Sequence, residues 1–290
     1  MLRRGRTCSI STKSAPFRSG TRLQPSKTIR AVVEYDGTEF CGLQWQPGQR
    51  TIAGTLESAL SALLDEPIKI SAAGRTDSGV HATGQVVSFT TERDFPYERL
   101  ALALNNVLPP DVSVRQVHVL DVPFSARFNA LERTYVYLIL NRRMRSAVLH
   151  RLAYHFYSPL DLALIQAAAQ HFTGEHDFRS VCGILPESGP TIRTVRRIDA
   201  HVRGDILTIT IVADGFLHRM VRNIIGTLLE VGNARRDPQS IPQMLCARDR
   251  RAAGHTAPAH GLYLAGVKYA DFDSFAAPLL AQDAARGGRG

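Results

Sequence analysis

The stretch Ile68-Lys69-Ile70-Ser71-Ala72-Ala73-Gly74-Arg75-Thr76-Asp77-Ser78-Gly79-Val80-His81-Ala82 places one carboxylate inside a turn punctuated by glycines. Ile68–Ala73 on one side and Gln85-Val86-Val87-Ser88-Phe89 on the other have the β-branched enrichment and partial alternation of strands. Asp77 therefore belongs to a loop between strands. Gly74 and Gly79 permit a positive φ or the close approach of another backbone. Arg75 stands two residues from Asp77, and a nearby guanidinium favours the charged form of a carboxylate, which suits a nucleophile or an anionic base better than a general acid. The same residues are also compatible with a surface turn closed by an Asp side chain.

Outward from this loop the sequence predicts strand 29–36, helix 51–64, strand 67–73, strand 84–90, helix 97–107 and strand 111–119, the order βαββαβ. The second half repeats the theme with strand 133–140, helix 160–170, strands 192–201 and 205–213, helix 218–232, a helix near 239–246 and a last strand at 262–269. Two units of similar order predict an α+β fold of two similar split-βαβ domains, their antiparallel sheets side by side and the active-site cleft between them. The domains are expected at 28–122 and 127–271. A basic, disordered tail is expected at 1–27 and a frayed one at 272–290.

The composition, 44% hydrophobic and 21% charged over 290 residues, is that of a globular chain with a real core. No run of 18 apolar residues appears, so no membrane partner is expected. The net charge of +9 overstates the basic character of the fold: Arg3, Arg4, Arg6, Lys13, Arg18, Arg22 and Lys27 supply +7 of it with no acid among residues 1–27, leaving +2 for the rest. An RNA-binding face must then come from the arrangement of charge and not from its total. Cys8, Cys41, Cys182 and Cys246 are far apart, with neither zinc spacing nor a disulfide framework, which fits a reducing cytoplasm. The Ser-, Thr- and Arg-rich first 27 residues also have the composition of an organelle import segment.

Six further blocks accompany the Asp77 loop: Glu34-Tyr35-Asp36-Gly37, Ala126-Arg127-Phe128, Arg133-Thr134-Tyr135-Val136-Tyr137, Gly174-Glu175-His176-Asp177-Phe178, Phe216-Leu217-His218-Arg219-Met220-Val221-Arg222-Asn223, and Thr256-Ala257-Pro258-Ala259-His260-Gly261-Leu262-Tyr263-Leu264. In content and order the seven blocks resemble the tRNA pseudouridine synthase A (TruA) family. The resemblance implies a cofactor-independent isomerase that converts uridine to pseudouridine at positions 38–40 of the tRNA anticodon stem-loop, working as a homodimer with no metal. It makes Asp77 the catalytic aspartate. Tyr135 becomes the aromatic residue against the target base, Arg75 the arginine that helps displace that base or stabilises the flipped nucleotide, and Arg222 the partner of the aspartate. Read from the residues alone, Tyr135 alternates with Tyr137 and Ile139 and fits a strand core, Arg75 can cap its loop or meet a phosphate, and Arg222 either snorkels from an apolar helix or meets a carboxylate.

No GxGxxG fingerprint or P-loop is present. His81, His176, His218 and His260 are in separate blocks that give neither a triad nor a metal cluster; His81 and His176 are expected to orient loops. The sequence departs from the family pattern at Gly42-Leu43-Gln44-Trp45-Gln46, where members usually place tryptophan directly after the glycine, and at Ala53, where glutamine is common. Two rival readings are a non-catalytic RNA-binding factor on the same scaffold and a hydrolase pairing Asp77 with Asp36 or Asp177.

Overall fold

A computed structural model describes residues 26–285. The expectations placed on residues 1–25 and 286–290 lie outside the described residues. The strands are β1 (Lys27–Tyr35), β2 (Ser71–Ala72), β3 (His81–Thr91), β4 (Val112–Leu120), β5 (Glu132–Asn141), β6 (Tyr154–Phe156), β7 (Gly174–Asp177), β8 (Ile192–Arg203), β9 (Ile206–Ala213) and β10 (Leu262–Lys268). The helices are α1 (Ile52–Leu64), α2 (Leu100–Val107), α3 (Leu162–Gln170), α4 (Met220–Gly232) and α5 (Ile241–Ala247).

Side-chain caps account for two of the helix starts. α1 starts where the Thr51 side chain accepts the Gly54 amide, and Ile52, Leu56, Leu60 and Leu64 bury one stripe at helical spacing. Asp161 caps α3 by accepting the Ala163 and Leu164 amides. Strand alternation is clearest in β5: Tyr135, Tyr137 and Ile139 enter the main core beneath the helices, while Val136, Leu138 and Leu140 enter a smaller cluster on the opposite face. Each such buried side chain contributes about 1.5–3 kcal/mol.

The strands form one large, mostly antiparallel sheet in the order β4-β1-β3-β10-β5-β9-β8-β7, with β2 on β3 and β6 on β5. β10 joins the two halves. It runs antiparallel to β5 over residues 262–268 but meets β3 in parallel through only Tyr263 opposite His81 and Leu264 opposite Ala82.

Four expectations need correction. The strand expected at 67–73 shrinks to Ser71–Ala72, because the Ile68 amide bonds to Ser61 Oγ and the Ile70 amide to Glu57 Oε1, so side chains of α1 take donors that a neighbouring strand would have used. α4 begins at Met220 and not at residue 218, because Arg219 adopts a left-handed conformation at φ 57°. Residues 272–282, expected to fray, pack on the sheet: Ser274 is buried, its Oγ accepts the Val267 amide at 2.9 Å and donates to Gly84 O at 2.7 Å, and the Ala276 amide bonds to Ala265 O. Lys27, counted with the basic tail, opens β1 and faces Asp94 at 3.6 Å. No helix among the described residues is long and apolar enough to cross a membrane.

Candidate active site

The loop from Gly74 to Val80 lies between β2 and β3, and neighbouring segments fix it from several sides. Thr76 Oγ1 is 2.8 Å from the Tyr35 hydroxyl, Gln85 Nε2 donates to Gly74 O at 2.8 Å, and the Leu43 amide donates to Thr76 O at 3.0 Å. Ser78 Oγ donates to Phe40 O. Burial pushes the Tyr35 hydroxyl pKa up to about 12, with its bonds to Thr76 and Gln85 opposing, so it serves as a neutral anchor. Of the two glycines, Gly79 takes a positive φ of 77°, whereas at Gly74 a Cβ would meet the Tyr135 hydroxyl at 3.7 Å, an ordinary contact, so the conformational freedom expected of both is used only at Gly79. Gly37, in the first sequence block, is pressed against this loop, and a Cβ there would lie 2.0 Å from Val80 O.

His81 ties these segments together. It accepts the Gly37 amide at Nδ1 (3.1 Å), which assigns the hydrogen to Nε2, and Nε2 donates to Arg151 O at 2.9 Å. Burial holds its pKa below the ordinary value, outweighing the pull of Asp36. The loop-orienting role expected of His81 is what these bonds describe; His176 is tied within its own turn through Thr173 O. Asp36 accepts the amide and hydroxyl of Thr38. Asp177 caps a short turn, accepting the Arg179 amide and the Thr191 hydroxyl. Both carboxylates offered as hydrolase partners are thus engaged in local structure.

The side chain of Asp77 meets the first turn of α4, from 145 residues later in the chain. Arg222 Nη1 donates to Asp77 Oδ2 at 2.8 Å, and the same guanidinium donates through Nε to Ala257 O at 2.8 Å. Arg222 is 14% exposed and Asp77 27%, so the pair is shielded on one side and open to a cavity on the other. The arginine that meets the carboxylate is therefore Arg222. Arg75 is exposed, lines the same cavity, and makes no ion pair with Asp77 among the described residues. Two residues apart in a turn, the side chains diverge.

The cavity has a volume of about 1060 Å³. Its walls include the Asp77 loop, Tyr135 on β5, the start of α4 and the segment 184–188. Tyr135 is buried and packs edge-on against Phe216, ring centroids 5.0 Å apart. Burial raises its hydroxyl pKa, helped by Tyr35 and Asp77 and opposed by Arg133, which leaves the phenol protonated. Sequence reasoning therefore brings Asp77, Tyr135, Arg75 and Arg222 to one cavity.

Three contributors were missed. His218 Nε2 and Arg219 Nε each lie 3.9 Å from Asp77, placed there by the left-handed turn at Arg219. The His218 pKa is pushed down by burial and by Arg219 and Arg222, against the pull of Asp77. Arg133 donates to Ala73 O, Asp214 O and Arg127 O, stitching the start of the Asp77 loop to the ends of β5 and β9. The available signal was adjacency: His218 and Arg219 share a block with Arg222, and Arg133 one with Tyr135. Among the described residues no group of three or more His, Cys, Asp or Glu side chains could hold a metal ion.

A part-buried guanidinium holds one loop carboxylate at a cavity wall, beside a tyrosine on a mostly antiparallel sheet. A family model described as tRNA pseudouridine synthase matches residues 31–129 and 168–270, more than half of the chain. The chain belongs to this family and is an isomerase. Within it, the likeness is to the tRNA pseudouridine synthases A. The Caldicellulosiruptor saccharolyticus protein of that name is 41% identical over 243 residues, covering 84% of this chain and all of that protein. The Bacillus subtilis protein is 42% identical over 83% of this chain and 98% of its own length, and that of Salmonella paratyphi B 44% identical over 87% and 94%.

Proposed function

We propose that this chain isomerises uridine to pseudouridine at positions 38–40 of the tRNA anticodon stem-loop, with Asp77 as its essential carboxylate. The observation that carries the reading is the Arg222–Asp77 pair set into the wall of the cavity beside Tyr135. The reaction breaks the N1–C1′ bond of a uridine and forms C5–C1′; a proton leaves C5 and another is taken up at N1. Atoms and electrons balance within the nucleotide, so the chemistry calls for a placed anion, a pocket for the detached uracil and a way to hold the base out of its stack. Asp77 supplies the anion. Arg222 fixes its direction through a guanidinium whose other edge is held by Ala257 O. Tyr135 offers a flat, neutral wall for the uracil, and exposed Arg75 reaches toward the displaced nucleotide or its phosphate.

Domains at 28–122 and 127–271 are part of the same reading, supported by the narrow two-pair parallel seam between β3 and β10, with the cleft between them as the site. A homodimer would lengthen the basic surface that +2 alone leaves short. Action in the cytoplasm follows from the reading, with organelle import through residues 1–27 as the alternative. Tritium release from tRNA transcripts labelled at uridine C5 tests the whole: the chain should release tritium, and Asp77→Asn should bind tRNA without releasing it. An Asp77→Asn protein that still turned over would end the assignment, and label lost from positions other than 38–40 would move the target.

A further inference from the structure

We propose that Trp45 is the stacking platform for an unpaired nucleobase that neighbours the target uridine, a binding subsite at the rim of the cavity. The inference rests on the RNA reading above. Trp45 is the single tryptophan of the chain and is 54% exposed. Half-exposed tryptophan leaves a large apolar face in water, and such faces mark contact sites.

The ring is presented on a braced loop. Residues 44–50 are exposed throughout, yet the loop is closed at its base by the Cys41 amide on Arg50 O, by Gln46 Nε2 on Cys41 O, and by the Ala53 amide on Leu43 O. The Leu43 amide in turn bonds to Thr76 O, next to Asp77, so the platform and the catalytic carboxylate share one support. Beneath the ring lies Gly54, where a Cβ would come within 3.4 Å of Cδ1, and Lys69 Nζ sits 5.8 Å from the ring centroid.

Position decides the ligand. Trp45 is a shared wall between the Asp77 cavity and a neighbouring groove of about 520 Å³ that carries Gln49, Thr51, Ser58, Ser61 and Lys69. A strand that delivers a uridine into the cavity must carry its adjoining nucleotides across this rim. Once the uridine leaves the stack, its neighbour has lost a stacking partner, and an indole face replaces it irrespective of base identity. In this groove Lys69 is paired with Glu57 at 2.6 Å and Arg50 with Asp111 at 2.8 Å, so the exposed Gln49 and Ser58 are the groups that suit a ribose-phosphate continuing outward.

Because Trp45 is the only tryptophan, its fluorescence reports this subsite alone. The full chain is titrated with an anticodon stem-loop transcript and with a blunt duplex of the same length, occupancy being measured in parallel by filter retention. The stem-loop should quench saturably with the same midpoint as retention, and the duplex should be retained without quenching. Retention of the stem-loop with unchanged fluorescence, or equal quenching by the duplex at equal occupancy, overturns the subsite. No retention of the stem-loop at all overturns the substrate reading, and this one with it. Trp45→Ala should raise the stem-loop Kd about 5- to 150-fold, the range of one base stack, and Trp45→Phe should restore most of it. An unchanged Kd in Trp45→Ala refutes the proposal, and folding is not at stake at a half-exposed loop position.

Discussion

Arg222 does two things with one planar group, and Arg222→Lys separates them. The guanidinium reaches Asp77 Oδ2 from Nη1 and Ala257 O from Nε, both at 2.8 Å. A lysine offers a single nitrogen on a flexible stem, so it can keep the charge near Asp77 or the bond to Ala257 but cannot hold both in this geometry. A hydrogen bond to a charged group contributes about 1.5–3 kcal/mol. The 27% exposure of Asp77 softens the loss, and Arg219 at 3.9 Å retains some of the local positive potential. The stability cost should be about 1–2 kcal/mol, between a surface pair and a buried one, or about 2–8 °C in Tm. The effect on kcat should be larger in consequence, because a carboxylate no longer aimed loses the same 1.5–3 kcal/mol in the transition state, about 10- to 150-fold in rate. Single-turnover tritium release reads the rate, and thermal unfolding with and without Asp77→Asn reads the coupling, expected at about 1–2 kcal/mol. Wild-type kcat in Arg222→Lys, or a change confined to KM, would refute the reasoning and make Arg222 a contact to RNA instead of a holder of Asp77.

Gly226→Ala places a Cβ 1.7 Å from His255 O, backbone that cannot turn aside, so this variant should lose about 1–3 kcal/mol or more and pull residues 254–257 away from α4; a chemical-denaturation midpoint equal to wild type would contradict the packing. Tyr135→Phe should leave Tm within about 3 °C while Tyr135→Ala costs about 3–5 kcal/mol, because the buried ring and its edge-on contact with Phe216 carry the packing; equal unfolding curves for the two would refute this. Stability should fall as pH drops below about 6.5. Burial holds His81, His218 and His260 below their ordinary 6.5, so in that window the unfolded chain takes up protons that the folded chain refuses. Asp36 and Asp177 act in the same direction at lower pH: burial raises them, but hydrogen bonds and nearby positive charge win, and the stability they give is lost only as pH falls below 3.8. A Tm profile flat between about pH 7.5 and 5 would count against the histidine assignment, and His81→Gln should reduce the slope.

What was legible in the sequence was local. The stripe of α1, the alternation of β5 and the apolar α4 follow from side-chain period, and their boundaries hold to within a residue or two. β2 was overdrawn because Glu57 and Ser61 satisfy amides that the pattern assigned to a strand, a competition invisible until helix and strand are adjacent. β6 and β7, three and four residues long, are too short to show a period. At the site, the turn chemistry singled out Asp77, but proximity in sequence misled on its partner: Arg75 is near in the chain, Arg222 near in space. The resemblance to a family supplied Arg222 and Tyr135, which periodicity alone left between core and function. The left-handed Arg219, which brings His218 and itself to 3.9 Å from Asp77, breaks the local preference of a non-glycine residue, and no pattern announces it.

The seat of β10 sets an order of events during synthesis. The Asp77 loop and β3 emerge early from the ribosome, yet the edge of β3 at His81 and Ala82 is covered by Tyr263 and Leu264, and the Ala257 carbonyl that steadies Arg222 lies just upstream of them. A nascent chain that has made the aspartate but not residue 268 has an open strand edge and no aligned arginine. Ordered chemistry therefore waits for nearly the whole described polypeptide, and a chaperone that shields the β3 edge in the interval would protect the stage most exposed to misassociation.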